Sequence, residues 1–154
     1  MSLLTIRFGR ADERGLLEDL QRRASLMWED YRSYLLANPD VIDLPLAQLR
    51  DGQVRVAECQ GRMAGFAALL PKAACCELDG LFVEPQLWGR GIARALIADA
   101  LVLARARGAG SIETIANPHA EGFYAKLGFV VTGRAETQFG PANRMKLPVF
   151  STQT

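Results

Sequence analysis

Cysteine, histidine and long apolar runs are all scarce in this chain. It has three cysteines, Cys59, Cys75 and Cys76, and a single histidine, His119. Three thiols cannot all pair, and adjacent Cys75 and Cys76 are poor disulfide partners with no metal-ligand spacing, so the cysteines read as reduced strand or core residues and no metal is expected. No stretch reaches the ~18 apolar residues that span a bilayer, and the amino terminus has no apolar run after a basic start, which sets the expectation of a soluble, cytoplasmic protein with no membrane partner. An excess of one charge is also missing. Lys and Arg number 18 against 17 Asp and Glu, a net +1, so no global field favours a nucleic-acid partner. Internal repeats and low-complexity segments are absent too.

What remains is an ordinary globular composition. With 154 residues, 49% of them hydrophobic and 23% charged, the chain is sized for one domain over 1–154. Residues 3–8 (LLTIRF) alternate like a strand, and Asp12 stands where a helix N-cap is expected. Leu16, Leu20, Ala24 and Met27 then recur as one face of a helix. Tyr31, Tyr34 and Leu35 resume the pattern after Trp28, up to Asn38-Pro39. Residues 39–52 mix breakers with apolar pairs and read as a loop with a helical turn or two. Gln60-Gly61 separates two alternating runs, 54–59 and 62–70, as a hairpin turn would.

A further strand covers CELDGLFV (76–83), and a helical pattern runs from Gly89 to Arg107, ending at Gly108, with Arg105 and Arg107 at the negative end of its dipole. Ser111 to Ile115 reads as a strand and Pro118 to Leu127 as a short helix capped by Asn117. Strands over 128–131 and 144–149 follow. The order predicts an α/β sandwich around a mixed sheet.

The most informative stretch is QLWGRGIA (86–93), which joins an apolar strand to a long helix. A helix start leaves its first N–H groups without internal partners and carries partial positive charge, so backbone donors there can hold an anion. Gly89 and Gly91 would let a phosphate approach, although glycines between strand and helix often serve a tight turn alone. A Walker-type loop is disfavoured because no Lys-Ser or Lys-Thr follows. A dinucleotide fingerprint is disfavoured because its third glycine would fall at Arg94.

The stretch ELDGLFVEPQLWGRGIARAL resembles the acetyl-CoA signature of the GNAT acetyltransferases, whose pattern Q/R-x-x-G-x-G/A is met by Gln86, Gly89 and Gly91. NPHAEGFYAKLGF (117–129) resembles the second signature, N-x-x-A-x-x-F-Y-x-K-x-G-F. The likeness is close over residues 54–131 and loose elsewhere. It implies a three-layer sandwich with a mostly antiparallel mixed sheet of six to seven strands, splayed central strands and helices on both faces. The coenzyme-binding core would span about 54–131, with acceptor-side helices and loop at about 12–52. By the same likeness, the backbone amides of Trp88, Gly89, Arg90, Gly91, Ile92 and Ala93 would hold the coenzyme pyrophosphate, helped by the Arg90 and Arg94 side chains. The pantetheine arm would pair along Leu81, Phe82 and Val83 as an added strand. Gly80 would mark the bulge that opens the slot. Asn117 is a further candidate contact, although capping already explains it.

Acetyl transfer to an amine needs a neutral nucleophile, a polarised thioester carbonyl and a proton for the departing thiolate. An alkylammonium with a pKa of about 10.4 must first lose a proton. Glu77 and Asp79 share one face of their strand and are the candidate bases, with Glu77 preferred and Glu113 on the neighbouring strand as an alternative; all three could equally be solvated strand residues. The Leu81 N–H is the candidate polariser of the carbonyl. Tyr124 stands where the family places its general acid, against the plainer reading of an aromatic packed beside Phe123. His119 falls at a position the family fills variably and is set aside. No cysteine has the activation of an acyl carrier, which favours direct attack within a ternary complex.

The family selects its acceptor with the first helices, the following loop and the last hairpin, here Met27, Trp28, Tyr31, Tyr34, residues 39–52 and residues 132–144. The acceptor amine itself stays open. The competing reading is a non-catalytic acetyl-CoA-binding module for sensing or assembly. Likeness to the family also allows a homodimer.

Overall fold

The computed structural model describes residues 4–150. Seven strands, β1 (Leu4–Phe8), β2 (Val54–Cys59), β3 (Arg62–Pro71), β4 (Cys76–Val83), β5 (Ser111–Ala116), β6 (Val130–Thr137) and β7 (Gly140–Pro148), hydrogen-bond in the order β1-β2-β3-β4-β5-β7-β6. The helices are α1 (Arg14–Ser25), α2 (Glu29–Ala37), α3 (Leu46–Arg50), α4 (Ile92–Ala106) and α5 (Glu121–Lys126). This is the expected mixed α/β class with seven strands. Leu3, the first residue of the expected opening strand, lies outside the described residues. The chain forms two compact units, Met1–Ala68 with Gly80–Ile97 and Leu69–Asp79 with Ala98–Thr154, of which the described residues are considered in turn.

The first unit is built on hydrophobic burial. Leu17 and Leu20 of α1 pack with Val54 and Val56 of β2, Phe66 and Ala68 of β3, and Leu44 and Leu49, with Phe82 against the cluster. Each large aliphatic side chain taken fully out of water contributes about 2 kcal/mol. The buried face of α1 is Leu17, Leu20 and Ala24, whereas Leu16 is exposed and Met27, also exposed, lies beyond the end of the helix at Ser25, so the expected face is corrected at both ends. At the start the cause is the entry into the helix. A 3₁₀ turn, Ala11–Glu13, precedes α1, so Asp12 sits inside that turn rather than capping it. Glu13 does the fixing. It accepts from the Arg10 N–H at 2.9 Å and takes both arms of the Arg7 guanidinium at 2.9 and 2.7 Å, while Arg7 also pairs with Glu58 on β2. Those bonds, led by Arg7, hold the Glu13 carboxyl below the usual carboxylate range against the opposing pull of burial.

The hairpin of β2 and β3 turns on Gln60 and Gly61 at φ 55 and 76°, the two consecutive left-handed residues of a tight two-residue turn. Residues 64–69 are buried without interruption, so β3 is covered on both faces. Gly65 permits one close approach: a Cβ there would lie 2.7 Å from the Phe82 carbonyl oxygen.

In the second unit β5 pairs antiparallel with β7, and β7 with β6. The last hairpin is longer than its alternation suggested, because the β6 residues beyond Val131 are held by their partners on β7. The α4 helix ends where expected: Gly108 takes φ 74°, its N–H reaches the Arg105 carbonyl at 3.0 Å, and the Ala109 N–H reaches Ala104 at 3.0 Å. These two bonds form the glycine-terminated cap that satisfies the last carbonyls. β4 and β5 make the parallel pair, and among the described residues its ladder consists of Cys76↔Ile112 and Glu77↔Glu113.

Candidate active site

In the first unit β4 runs into a 3₁₀ turn, Pro85–Leu87, and then into the glycine turn before α4. The regular helix therefore starts at Ile92 and not at Gly89, because Gly89 and Gly91 adopt φ 82 and 81°, which right-handed helix excludes. A side chain in that region costs roughly 1–2 kcal/mol per residue. A Cβ at either glycine would meet nothing within 4 Å, so conformation rather than room dictates glycine here. The Ala95 N–H bonds the Gly91 carbonyl at 3.0 Å. The N–H groups of residues 92–94 precede that bond and have no carbonyl one turn back within α4 to accept them.

Side chains on either side fix this exposed turn. The Trp88 indole N–H donates to the Val83 carbonyl at 2.8 Å, and its ring stacks on Trp28 with centroids 5.4 Å apart. Arg23 of α1 grips Glu84 through two bonds of 2.8 Å, and the Glu84 N–H bonds the Ala64 carbonyl at 2.8 Å. Ile92 is buried below the turn, whereas Gln86, Arg90 and Arg94 are exposed and Ala93 is half-buried. On β4, Val83 is buried, Leu81 is partly exposed, and the Phe82 ring packs on Phe66 at 5.4 Å. Phe82 thus commits its side chain to the core and offers a ligand only its backbone.

In the second unit Tyr124 of α5 is buried between Phe123 and Phe129, at 5.5 and 5.0 Å between ring centroids. Its hydroxyl bonds the side chain of Thr114, a buried residue of β5. The Thr114 hydroxyl in turn donates to the Leu78 carbonyl at 2.9 Å, so a side chain serves the β4 backbone one residue beyond the last ladder pair. Burial pushes the Tyr124 phenol up to about 12, with Thr114 acting more weakly in the opposite sense. The phenol is therefore a proton-bearing acid throughout the neutral range.

The carboxylates lie on the other face of the same strands. Glu113 precedes Thr114, and successive strand residues point to opposite faces. Glu113 is exposed and Thr114 buried, as Glu77 and Asp79 are outward of buried Cys76 and Leu78. Glu77 pairs with Lys72 at 3.4 Å, and Glu113 accepts from Ser111 Oγ at 3.1 Å and from Cys75. Burial first, and then Glu113, push the Cys75 thiol up, the opposite of what an acyl-carrying nucleophile needs.

With this geometry in hand, comparison with known proteins is direct. The profile of the Acetyltransferase (GNAT) family matches residues 15–129. The chain belongs to the GNAT family. Its curated relatives include a peptidyl-lysine N-acetyltransferase, YjaB, of Salmonella typhimurium, 44% identical over 59 residues, which are 38% of this chain and 39% of the relative. The chain thus spans about two fifths of the length of the curated relatives it matches. The solution structure of apo YjaB from Escherichia coli superposes with a TM-score of 0.67 at 27% identity, covering 97% of this chain and 99% of that one. The PaiA N-acetyltransferase of Thermoplasma acidophilum, crystallised with coenzyme A, gives a TM-score of 0.77 at 19% identity over 95% of this chain and 99% of that one, a likeness of fold.

Within this GNAT fold the site residues read from sequence fall into two groups. Residues 81–94 carry the glycine turn and its strand in one unit. Tyr124 and residues 77 and 79 belong to the other. Asn117 is not the cap of α5, which starts at Glu121; its Oδ1 accepts from the Ala120 N–H at 3.0 Å and closes the turn over residues 118–120. Pro118 accordingly lies in that turn and not at the first helical position. The residue that sequence reasoning missed is Thr114. Its signal was present: in SIETIA it is the one polar side chain in register with Ile112 and Ala116.

Proposed function

We propose that this protein is an N-acetyltransferase that moves the acetyl group of acetyl-CoA to a primary amine by direct attack. The single observation that carries the reading is the glycine turn, with left-handed Gly89 and Gly91 opening a 15-residue helix whose first N–H groups have no intrahelical acceptor. That turn fits an anionic pyrophosphate: its donors are backbone, its surface is exposed, and Arg90 and Arg94 stand at its rim. In this reading the amides of residues 88–93 hold the pyrophosphate, and the backbone of Leu81, Phe82 and Val83, none of which is paired in the Cys76↔Ile112, Glu77↔Glu113 ladder, lines the pantetheine arm. Asn117, whose side chain is engaged in its own turn, contributes position more than contact.

The chemistry then divides by face. Glu77, with Asp79 beside it, takes the proton from the incoming ammonium directly or through water. The Leu81 N–H polarises the carbonyl that is attacked. Tyr124, kept protonated by burial, supplies the proton to the departing sulfur from the opposite face of the strands. A peptidyl-lysine side chain, the acceptor in the name of the YjaB relatives, is the first acceptor to test.

The test is calorimetric titration with acetyl-CoA, followed by thiol release over a panel of lysine peptides and small amines. Binding with amine-dependent release supports the reading. Binding without release from any amine points to an acetyl-CoA-binding module, and absence of binding refutes the role given to the glycine turn.

A further inference from the structure

Thr114 is a buried polar side chain that stands between two groups that need it. On one side lies the Leu78 carbonyl, which follows the last ladder residue of β4 and accepts from the Thr114 hydroxyl at 2.9 Å. On the other lies the hydroxyl of Tyr124. A hydroxyl has one proton and two lone pairs, so while Thr114 donates to Leu78 it can only accept from Tyr124. The resting chain therefore runs Tyr124 O–H to Thr114 O–H to the Leu78 carbonyl, with every proton placed.

We propose that Thr114 is a positioning residue whose hydroxyl switches between the Leu78 carbonyl and Tyr124, aiming the phenol at rest and stabilising the phenolate once its proton has left. This inference rests on the acetyl-transfer reading for its catalytic meaning. In the step concerned the carbon–sulfur bond breaks with its electron pair going to sulfur, and the Tyr124 proton moves to that sulfur. The phenolate left behind is a strong acceptor in a buried site with few polar groups, where an unpaired anion is costly. Rotation of the Thr114 hydroxyl by one staggered well turns its proton from Leu78 to Tyr124, and Leu78 loses that bond while the phenolate lasts. As the carbon–nitrogen bond replaces the carbon–sulfur bond the ammonium gives up two protons: the first leaves through Glu77 to solvent as the net proton of the reaction, and the second restores Tyr124, so the cycle balances without another reactant.

The same hydroxyl explains a structural peculiarity. The parallel ladder is two pairs long, and the carbonyl of buried Leu78 directly beyond it has no acceptor role in that ladder. Thr114 satisfies it from the side, where valine, its closest match in shape, could not. The direction of the Tyr124 acidity agrees, since Thr114 opposes the upward push of burial, as a donor to the phenolate does.

The experiment replaces Tyr124 with a fluorotyrosine and follows its ionisation by fluorine NMR in the coenzyme-free protein, with Thr114 intact and as Thr114→Ser, Thr114→Val and Thr114→Ala. In parallel, kcat and the KM for acetyl-CoA are measured on the unlabelled chains. The proposal expects Thr114→Val to raise the ionisation midpoint and lower kcat about tenfold with KM unchanged, and Thr114→Ser to restore both. Thr114→Ala gives the same direction should valine fail to fold. An unchanged midpoint in Thr114→Val or Thr114→Ala, or a Thr114→Ser variant as impaired as they are, overturns it. If no amine is acetylated by the intact chain, the acetyl-transfer reading has failed and the catalytic role of Thr114 falls with it, whereas a midpoint that still moves shows the hydroxyl bond itself to be sound.

Discussion

The glycine turn and the Tyr124 pocket solve opposite problems by opposite means. At the turn, residues 88–94 are mostly exposed, and in the proposed reading the donors are main-chain N–H groups freed by glycines that carry no side chain. Around Tyr124 the useful groups are side-chain hydroxyls, buried and bonded to one another. A backbone site tolerates many side chains but not a change of φ, whereas a hydroxyl site tolerates no loss of a single oxygen. Ligand grip and proton transfer should therefore fail independently.

The largest effect expected is on chemistry: Tyr124→Phe lowers kcat by about 10²- to 10³-fold while coenzyme affinity stays within twofold, read by steady-state kinetics beside calorimetry. Alkaline pH acts on the same pocket. The Tyr124 pKa is raised in the folded chain from 10.0 to about 12, so its contribution to stability is complete below pH 10 and is lost as pH rises through 12. At about 1.4 kcal/mol per unit this amounts to about 2 kcal/mol by pH 12, read as a difference in chemical denaturation between pH 9 and 12 that is smaller by that amount in Tyr124→Phe, where Tyr31, Cys75 and Cys76, also raised by burial, still titrate.

Acid acts elsewhere. The Glu13 pKa is lowered on folding by Arg7, so its contribution is present above the ordinary carboxylate pKa and is lost as pH falls through the folded value. Glu13→Gln should cost about 2 kcal/mol at pH 7 and reduce the difference between denaturation at pH 7 and pH 3, with coenzyme affinity per folded molecule unchanged. Gly91→Val should weaken coenzyme binding roughly tenfold, the cost of a branched side chain at φ 81°, and leave the amine KM alone. The smallest effect belongs to the Trp28–Trp88 stack. Coenzyme binding should change the tryptophan emission in the intact chain and less in Trp28→Phe, with affinity altered less than threefold.

Locality explains what could be read from sequence. The β2–β3 hairpin was legible because Gln60 and Gly61 encode their own turn. The end of α4 was legible because Gly108 supplies its own cap. Gly89 and Gly91 marked a turn between strand and helix, but their spacing did not separate a ligand site from a plain turn, and the regular helix starts three residues after Gly89, at Ile92. By contrast, the face of α1 depends on Glu13, which is fixed by Arg7 and so by a β1 residue that also pairs with Glu58, 51 positions away. Asp12 looked like the cap because nothing local shows that partnership. The start of α5 was misplaced because Asn117 spends its side chain on the turn before the helix. Thr114 passed unnoticed because its meaning comes from Leu78, 36 residues earlier, and from Tyr124.

The most direct test of the central claim is a calorimetric titration of coenzyme A into three proteins side by side: the intact chain, Gly91→Val and Tyr124→Phe. The account predicts equal affinities for the intact and Tyr124→Phe chains and roughly tenfold weaker binding to Gly91→Val. Undiminished binding by Gly91→Val, with loss in Tyr124→Phe, would contradict it, since the coenzyme would then be held by the buried pocket and not by the turn.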